Sequence, residues 1–423
     1  MYRSRVIDST VAKKLRGKGA VVIEGPKWCG KTTTGEHFAK ATLYLSNPKE
    51  FQNVKQLVLV APEKILDSTH PLLIDEWQLV PQIWDAIRFK IDHTEGYGHF
   101  ILTGSAVPDK QAEEQIHHTG TGRFSWITMR TMSLFESGES TGTVSLSDIF
   151  GAKKIFSQCD MNIDRLCYLI CRGGWPEAVD MDSDVALEQA KDYYAAIYKS
   201  DLSRVDGVRR NPERIKKIMR SYARGQGSQM SIGKITDDIK ANDVDSISDD
   251  TVNDYINALK KIFVIEDMPA WNPNLRSKTA VRTSDTRYFT DPSIATAALG
   301  LGPDDLLRDL KTTGFLFEAL CIRDLRIYAE SIGGTVYHYR DKSNLECDAV
   351  IHLENGHYGL IEIKLGGEDD IEIGAKTLKK LRDSIDTEKM YEPSFLMVLI
   401  GVGQYAFQRE DGVYVVPISC LKP

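Results

Sequence analysis

The stretch VVIEGPKWCGKTTTGEHFAK, residues 21–40, constrains this chain more than any other. A β-branched run breaks at Gly25, a short loop follows, and after Gly30-Lys31-Thr32 the pattern turns helical with Phe38 facing inward. The spacing is GxxxxGK[ST] in the strand–loop–helix context that its chemistry needs. Glycines let the backbone curl so that its amides surround phosphate oxygens, and the helix N-terminus adds positive potential. Gly25, Pro26, Lys27, Trp28, Cys29, Gly30, Lys31, Thr32 and Thr33 are therefore candidate phosphate contacts. Lys31 would reach the β- and γ-phosphates, and the Thr32 hydroxyl would bind magnesium.

Further on, PLLIDEW is a buried apolar strand ending in two adjacent carboxylates, Asp75 and Glu76. Beside a phosphate loop, such a pair suggests magnesium chemistry: Asp75 would hold the ion through water and Glu76 would orient and polarise the attacking water. HFILTGSA supplies another apolar strand ending in hydroxyls, where Thr103 or Ser105 would sense the terminal phosphate. Between them, PQIWDAIRFKIDH places Ile83, Ile87 and Ile91 on one helix face. Strands alternating with helices imply a parallel sheet.

GTGRFSWITMRTMSLFESG then offers Arg123 and Arg130. With these motifs in order, the chain resembles AAA-type P-loop ATPases, especially the prokaryotic ATP-binding proteins that join such a module to a C-terminal domain of nuclease-like fold. The resemblance implies ATP and Mg2+ as cofactors. It also implies an arginine finger at Arg123, acting across a subunit contact in a homo-oligomer or within the chain. The plainer reading of Arg123, an exposed solubilising arginine, stays open beside it.

With 423 residues, 42% hydrophobic and 27% charged, the chain has room for two to four ordinary domains. No apolar run approaches the roughly 20 residues of a spanning helix. MYRSRVIDST lacks the apolar stretch of a signal peptide. Seven scattered cysteines are no disulfide framework, and Cys159, Cys167 and Cys171 lack the tight pairs that zinc favours. The expected compartment is cytoplasmic, with no membrane partner. A net charge of -7 argues against a coat of nucleic acid over the whole surface but leaves room for a local basic patch.

In the middle, CRGGWPEAV forms a tight turn of structural role, and SRVDGVRRNPERIKKIMRSYARG is a basic stretch suited to phosphates or to a solvated helix face. Residues 231–291 read as helix, turn, helix and a two-stranded wing. Val252, Tyr255, Ile256, Leu259, Ile262 and Phe263 form the inward stripe of the second helix, whose outward side begins with Asp249, Asp250, Asn253 and Asp254. Acids there oppose groove binding, so this winged helix suits docking. Arg276, Lys278, Arg282 and Arg287 are its better phosphate contacts.

LECDAVIHLENGHYGLIEIKLGG, residues 345–367, reads as a hairpin. A three-residue loop, Glu354-Asn355-Gly356, pairs Leu353 with His357 and sets Asp348 opposite Glu362. Lys364 then shares their face, and Ala349, Ile351, Leu353, Ile361, Ile363 and Leu365 form an apolar one. Two carboxylates and an ammonium suit a Mg2+ or Mn2+ site with Lys364 as catalytic partner. The pattern resembles PD-(D/E)xK nucleases, although the motif's proline is absent. That resemblance implies a further helical acid, here Glu318, so that Glu318, Asp348 and Glu362 are the expected metal ligands and DNA or RNA the expected partner.

The expected fold is thus multidomain α/β: a P-loop NTPase with a parallel sheet (1–150), a helical connector (151–225), a winged-helix-like domain (226–300) and a restriction-endonuclease-like α/β domain (301–423). The expected function is ATP hydrolysis controlling the last domain. An ATP-switched binding protein with an inactive nuclease-like domain is the alternative.

Overall fold

The computed structural model describes residues 2–107, 114–204, 207–241, 247–273 and 283–423. The chain divides into two compact units, the first formed by 1–131, 199–210 and 257–264, the second by 132–198, 211–256 and 265–423.

Five parallel strands make the sheet of the first unit: β1 (Ala20–Glu24), β2 (Ala41–Tyr44), β3 (Leu72–Asp75), β4 (Phe100–Gly104) and β5 (Phe124–Thr128), in the order β2-β3-β4-β1-β5. Sheets of this kind are covered on both faces, so their central strands are apolar throughout. Val21, Val22, Ile23, Leu73, Ile74, Ile101 and Leu102 are accordingly buried. The helix Ile83–Asp92 buries Ile83 and Ile87, with Ile91 at the margin of the same cluster. From β1 the chain crosses to the far edge at β2 and returns inward. The carboxyl ends of β1, β3 and β4 therefore open together at the place where open α/β sheets bind ligands.

The second unit holds a seven-stranded mixed sheet, β7-β12-β13-β11-β10-β9-β8, and a two-stranded one, β14-β6. The strands are β6 (Val144–Ser145), β7 (Phe156–Gln158), β8 (Gly334–Arg340), β9 (Glu346–Leu353), β10 (Tyr358–Lys364), β11 (Phe395–Ile400), β12 (Tyr405–Gln408), β13 (Tyr414–Pro417) and β14 (Leu421–Lys422). Two long helices, Leu310–Ser331 and Glu368–Ser384, pack on the larger sheet. β6 pairs with β14 and β7 with β12, so residues on either side of position 150 complete C-terminal sheets.

The hairpin register is the expected one. β9 and β10 pair antiparallel as His352–Tyr358 through Ala349–Ile361, and Leu353 N donates to His357 O at 2.8 Å. Gly356 takes the left-handed conformation, with φ 86°. The polar face is not as expected. Val350, Tyr358 and Leu360, on the side of Asp348 and Glu362, are fully buried with Ala375, Leu378 and Leu381 of the helix Glu368–Ser384. Both sides of the hairpin are core, and the acids stand at the open end of one of them.

In the middle region, the helices Ile232–Ala241 and Asp249–Lys261 are followed by antiparallel bridges Ile265–Phe289 and Met268–Thr286. Arg276, Lys278 and Arg282 lie outside the described residues. Arg287 is corrected: it forms an ion pair with Asp267 at 2.5 Å, mostly out of solvent, rather than an open phosphate contact. The Gly-Gly-Trp-Pro turn anchors a buried polar network. Gly174 N donates to Asp291 at 3.0 Å, Trp175 Nε1 to Ser293 Oγ at 3.0 Å, and Arg323 to Asp291 and Asp324 at 3.0 and 2.9 Å. A Cβ on Gly174 would fall 2.0 Å from Met132 O, a backbone atom that cannot swing away. Gly174→Ala is expected to lower unfolding stability by about 1–3 kcal/mol, read as a lower denaturant midpoint.

All seven cysteines are free and buried. Among the described residues no helix is long and apolar enough to cross a membrane.

Candidate nucleotide site and C-terminal acid cluster

Beyond the end of β1 the chain turns at Gly25, whose φ is 151° and whose missing Cβ would sit 2.0 Å from Met129 O. Only glycine fits both conditions. Gly30, also left-handed, opens the helix Lys31–Phe38. Lys31 is buried, and its Nζ donates to Pro26 O at 2.7 Å, across the mouth of the loop. Cys29 is buried, Lys27 forms an ion pair with Asp201 at 2.8 Å, and Thr33 faces solvent. Trp28 is 52% exposed and has φ 65°.

The strands bring their acids to this loop. Asp75 Oδ1, buried at the end of β3, accepts from Thr32 Oγ1 at 2.7 Å and from Thr103 Oγ1 of β4 at 2.6 Å. Glu76 follows in the left-handed conformation, φ 58°, and its Oε2 accepts from Ser105 Oγ at 2.9 Å and from Gln78 Nε2. Trp28 and Glu76 are non-glycine residues in a conformation that costs of order 1–3 kcal/mol, a form of strain that gathers at functional sites. Thr32 and Asp75 supply hard oxygen donors, and magnesium needs only one or two from a protein when phosphates and water complete its shell. The donor set fits that ion.

Two further participants carry no local signal in the sequence. Arg5, buried, donates from Nη1 to Cys29 O at 2.8 Å and from Nη2 to Arg130 O at 2.9 Å, stapling the loop to the end of β5. Gln78, two residues beyond Glu76, shares that carboxylate with Ser105. Glu24, just before the loop, has its carboxyl pushed above the ordinary range by burial.

Arg123 lies away from the loop of its own chain, which leaves the subunit-contact form of the arginine finger as the one to propose. It precedes β5, and its carbonyl accepts from Ala20 N at the start of β1, so it stands at the opposite end of the sheet from the loop. Five residues of strand span about 16 Å. Its guanidinium pairs with Asp92 at 2.7 Å. It cannot reach phosphates bound to its own chain. Arg130, at the other end of β5, is buried beside the loop.

Comparison with known proteins agrees with this geometry. Residues 17–137 match an AAA domain. That match supports an AAA-type P-loop ATPase domain in the first part of the chain. Residues 163–305 and 313–421 match two domains of unknown function, DUF8612 and DUF4143. The uncharacterized proteins Mb2031c of Mycobacterium bovis and Rv2008c of Mycobacterium tuberculosis are each 22% identical over 425 residues, covering 99% of this chain and 84% of theirs. Among solved structures, the Walker-type ATPase PABY2304 of Pyrococcus abyssi aligns over 70% of this chain and 96% of its own at 12% identity, with a TM-score of 0.41. That likeness is too loose to bear on the site.

In the second unit, Lys364 Nζ lies 2.7 Å from Glu362 Oε2 and 3.5 Å from Asp348 Oδ2, and Asp348 Oδ2 also accepts from Ile363 N at 2.7 Å. Glu318 Oε1 accepts from the hydroxyl of Tyr288, a buried residue that the sequence did not single out. Burial, then the charge of Asp348, pushes the carboxyls of Glu362 and Glu318 up to about 8 each. Lys364 is held further above its usual range by the acids around it. Glu318, Asp348, Glu362 and Lys364 therefore share one electrostatic neighbourhood. Among the described residues no group of three or more His, Cys, Asp or Glu stands as a metal-holding cluster. Glu362 and Asp348 both lie against the Lys364 ammonium.

Proposed function

We propose that this chain is a magnesium-dependent ATPase whose nucleotide state controls a nucleic-acid-associated C-terminal unit. The observation that carries the first half is the meeting of Thr32 and Thr103 hydroxyls on Asp75, beside Lys31 and one residue from Glu76. In this reading the loop amides and Lys31 would bind the phosphates, and Thr32 and Asp75 would hold Mg2+, whose charge would offset that developing as the terminal phosphoryl group passes to water. Glu76, fixed by Ser105 and Gln78, orients the attacking water and accepts its proton.

For the second half, the paired hairpin acids and Lys364 support a nuclease-like unit that meets phosphodiesters. With Lys364 Nζ lying against Glu362 and Asp348, the reading takes binding as the role of this unit.

The purified full-length chain is expected to release phosphate from ATP with magnesium and to fall at least about 100-fold when EDTA replaces it, the scale of lost charge stabilisation at a transferring phosphoryl group. Turnover that is absent, or indifferent to magnesium, overturns the ATPase reading. Plasmid cleavage with Mg2+ or Mn2+ that disappears in Asp348→Ala would replace binding with cutting in the second unit.

A further inference from the structure

A cleft of about 690 Å³ in the second unit is lined by Arg224, Lys234, Arg340 and Lys342, with Ser228 and Gln229 on its floor. Among the described residues four cations and no acid line this hollow, in a chain whose net charge is -7. Two of the cations are already engaged: Arg224 with Asp238, and Arg340 with Glu346 at 2.9 Å. Lys234 and Lys342 are exposed and have no ion-pair partner among the described residues, so their charge is available to a ligand.

The cations come from separate elements. Arg224 ends the helix Pro212–Arg224, Lys234 lies in the first turn of the helix Ile232–Ala241, Arg340 ends β8, and Lys342 follows in the next turn. Spread in this way they suit an extended polyanion better than one compact phosphate group.

The floor of the cleft ties it to the acid cluster. Gly227 precedes Ser228, and a Cβ on it would lie 3.3 Å from both carboxylate oxygens of Glu318. Two backbone hydrogen bonds, Gly227 N to Arg287 O at 2.9 Å and Arg287 N to Ser228 O at 3.0 Å, pin this loop beside Tyr288, whose hydroxyl donates to Glu318. One side of a fixed loop therefore meets Glu318 while the next residues line the basic cleft.

We propose that this cleft is the nucleic-acid-binding site of the second unit, holding the phosphodiester backbone through Lys234 and Lys342 with Arg224 and Arg340 as supporting charges. The proposal rests on the nucleic-acid half of the reading above and is independent of the ATPase half.

The test is fluorescence anisotropy of the full-length chain with a labelled single strand and the matching duplex, in EDTA, across a salt series. Both lysines are exposed, so Lys234→Ala/Lys342→Ala is expected to fold normally, checked by an unchanged thermal midpoint. It should bind about tenfold more weakly at low salt, and the slope of log affinity against log salt should fall by about 1.4 for the single strand or 1.8 for the duplex, two phosphates' worth. Lys234→Arg/Lys342→Arg, which keeps the charge, should bind as the wild type does. If the alanine variant keeps the wild-type affinity and slope, the cleft is overturned and nucleic-acid association stands. If the wild type binds neither probe, both fall.

Discussion

Glu76→Gln is expected to bind ATP with near wild-type affinity and to hydrolyse it on the order of 10²–10³-fold more slowly, the usual loss when a positioned base is removed. The geometry explains the split. Glu76 Oε2 is fixed by Ser105 and Gln78, while the proposal gives phosphate binding to the loop amides and Lys31. Glutamine keeps that shape and loses the ability to take a proton. Lys31→Ala makes the contrast: it removes the buried ammonium now resting on Pro26 O, so nucleotide affinity and turnover should fall together. Phosphate release gives the rate. Trp28, exposed within the loop, gives the affinity by fluorescence. Equal loss of binding in both variants would show that Glu76 does not act on water alone.

What the sequence disclosed here was local. The phosphate loop, the acid pair after β3 and the hairpin register each depend on residues near one another, where spacing, turn chemistry and strand parity do the specifying. For Arg123 the deciding signal is also local and points away from the site: it precedes the strand FSWIT, and in a parallel sheet residues before a strand stand at the end away from a loop that follows one. Arg130, after the same strand, is at the correct end. Other contacts had no local signal. Arg5 meets Cys29 and Arg130 across 24 and 125 positions, and Tyr288 meets Glu318 across 30. β6 and β7 are two and three residues long and pair with strands more than 240 positions away. The cleft is of this kind too, since its cations come together only when β8 and two middle helices fold.

Glu362→Gln is expected to stabilise the chain at alkaline pH, although it removes a residue of the acid cluster. Glu362 is 4% exposed, and burial, reinforced by Asp348, raises its carboxyl from 4.5 to about 8 despite the ion pair with Lys364. A carboxyl raised in the fold binds its proton more tightly there than in the unfolded chain. The stability it contributes is complete below about pH 4.5 and is lost as the pH rises toward about 8, where the buried group must ionise. Asp348 and Lys364 share the titration with Glu362, so the loss is spread over the cluster and its direction is what the measurement reads. Denaturant unfolding of the full-length chain in EDTA at pH 6 and pH 8.5, with the two units followed as separate transitions where they resolve, should show the second unit weaker at pH 8.5. In Glu362→Gln that difference should shrink and the high-pH midpoint rise. Equal pH dependence in both proteins would mean that Lys364 keeps Glu362 ionised throughout.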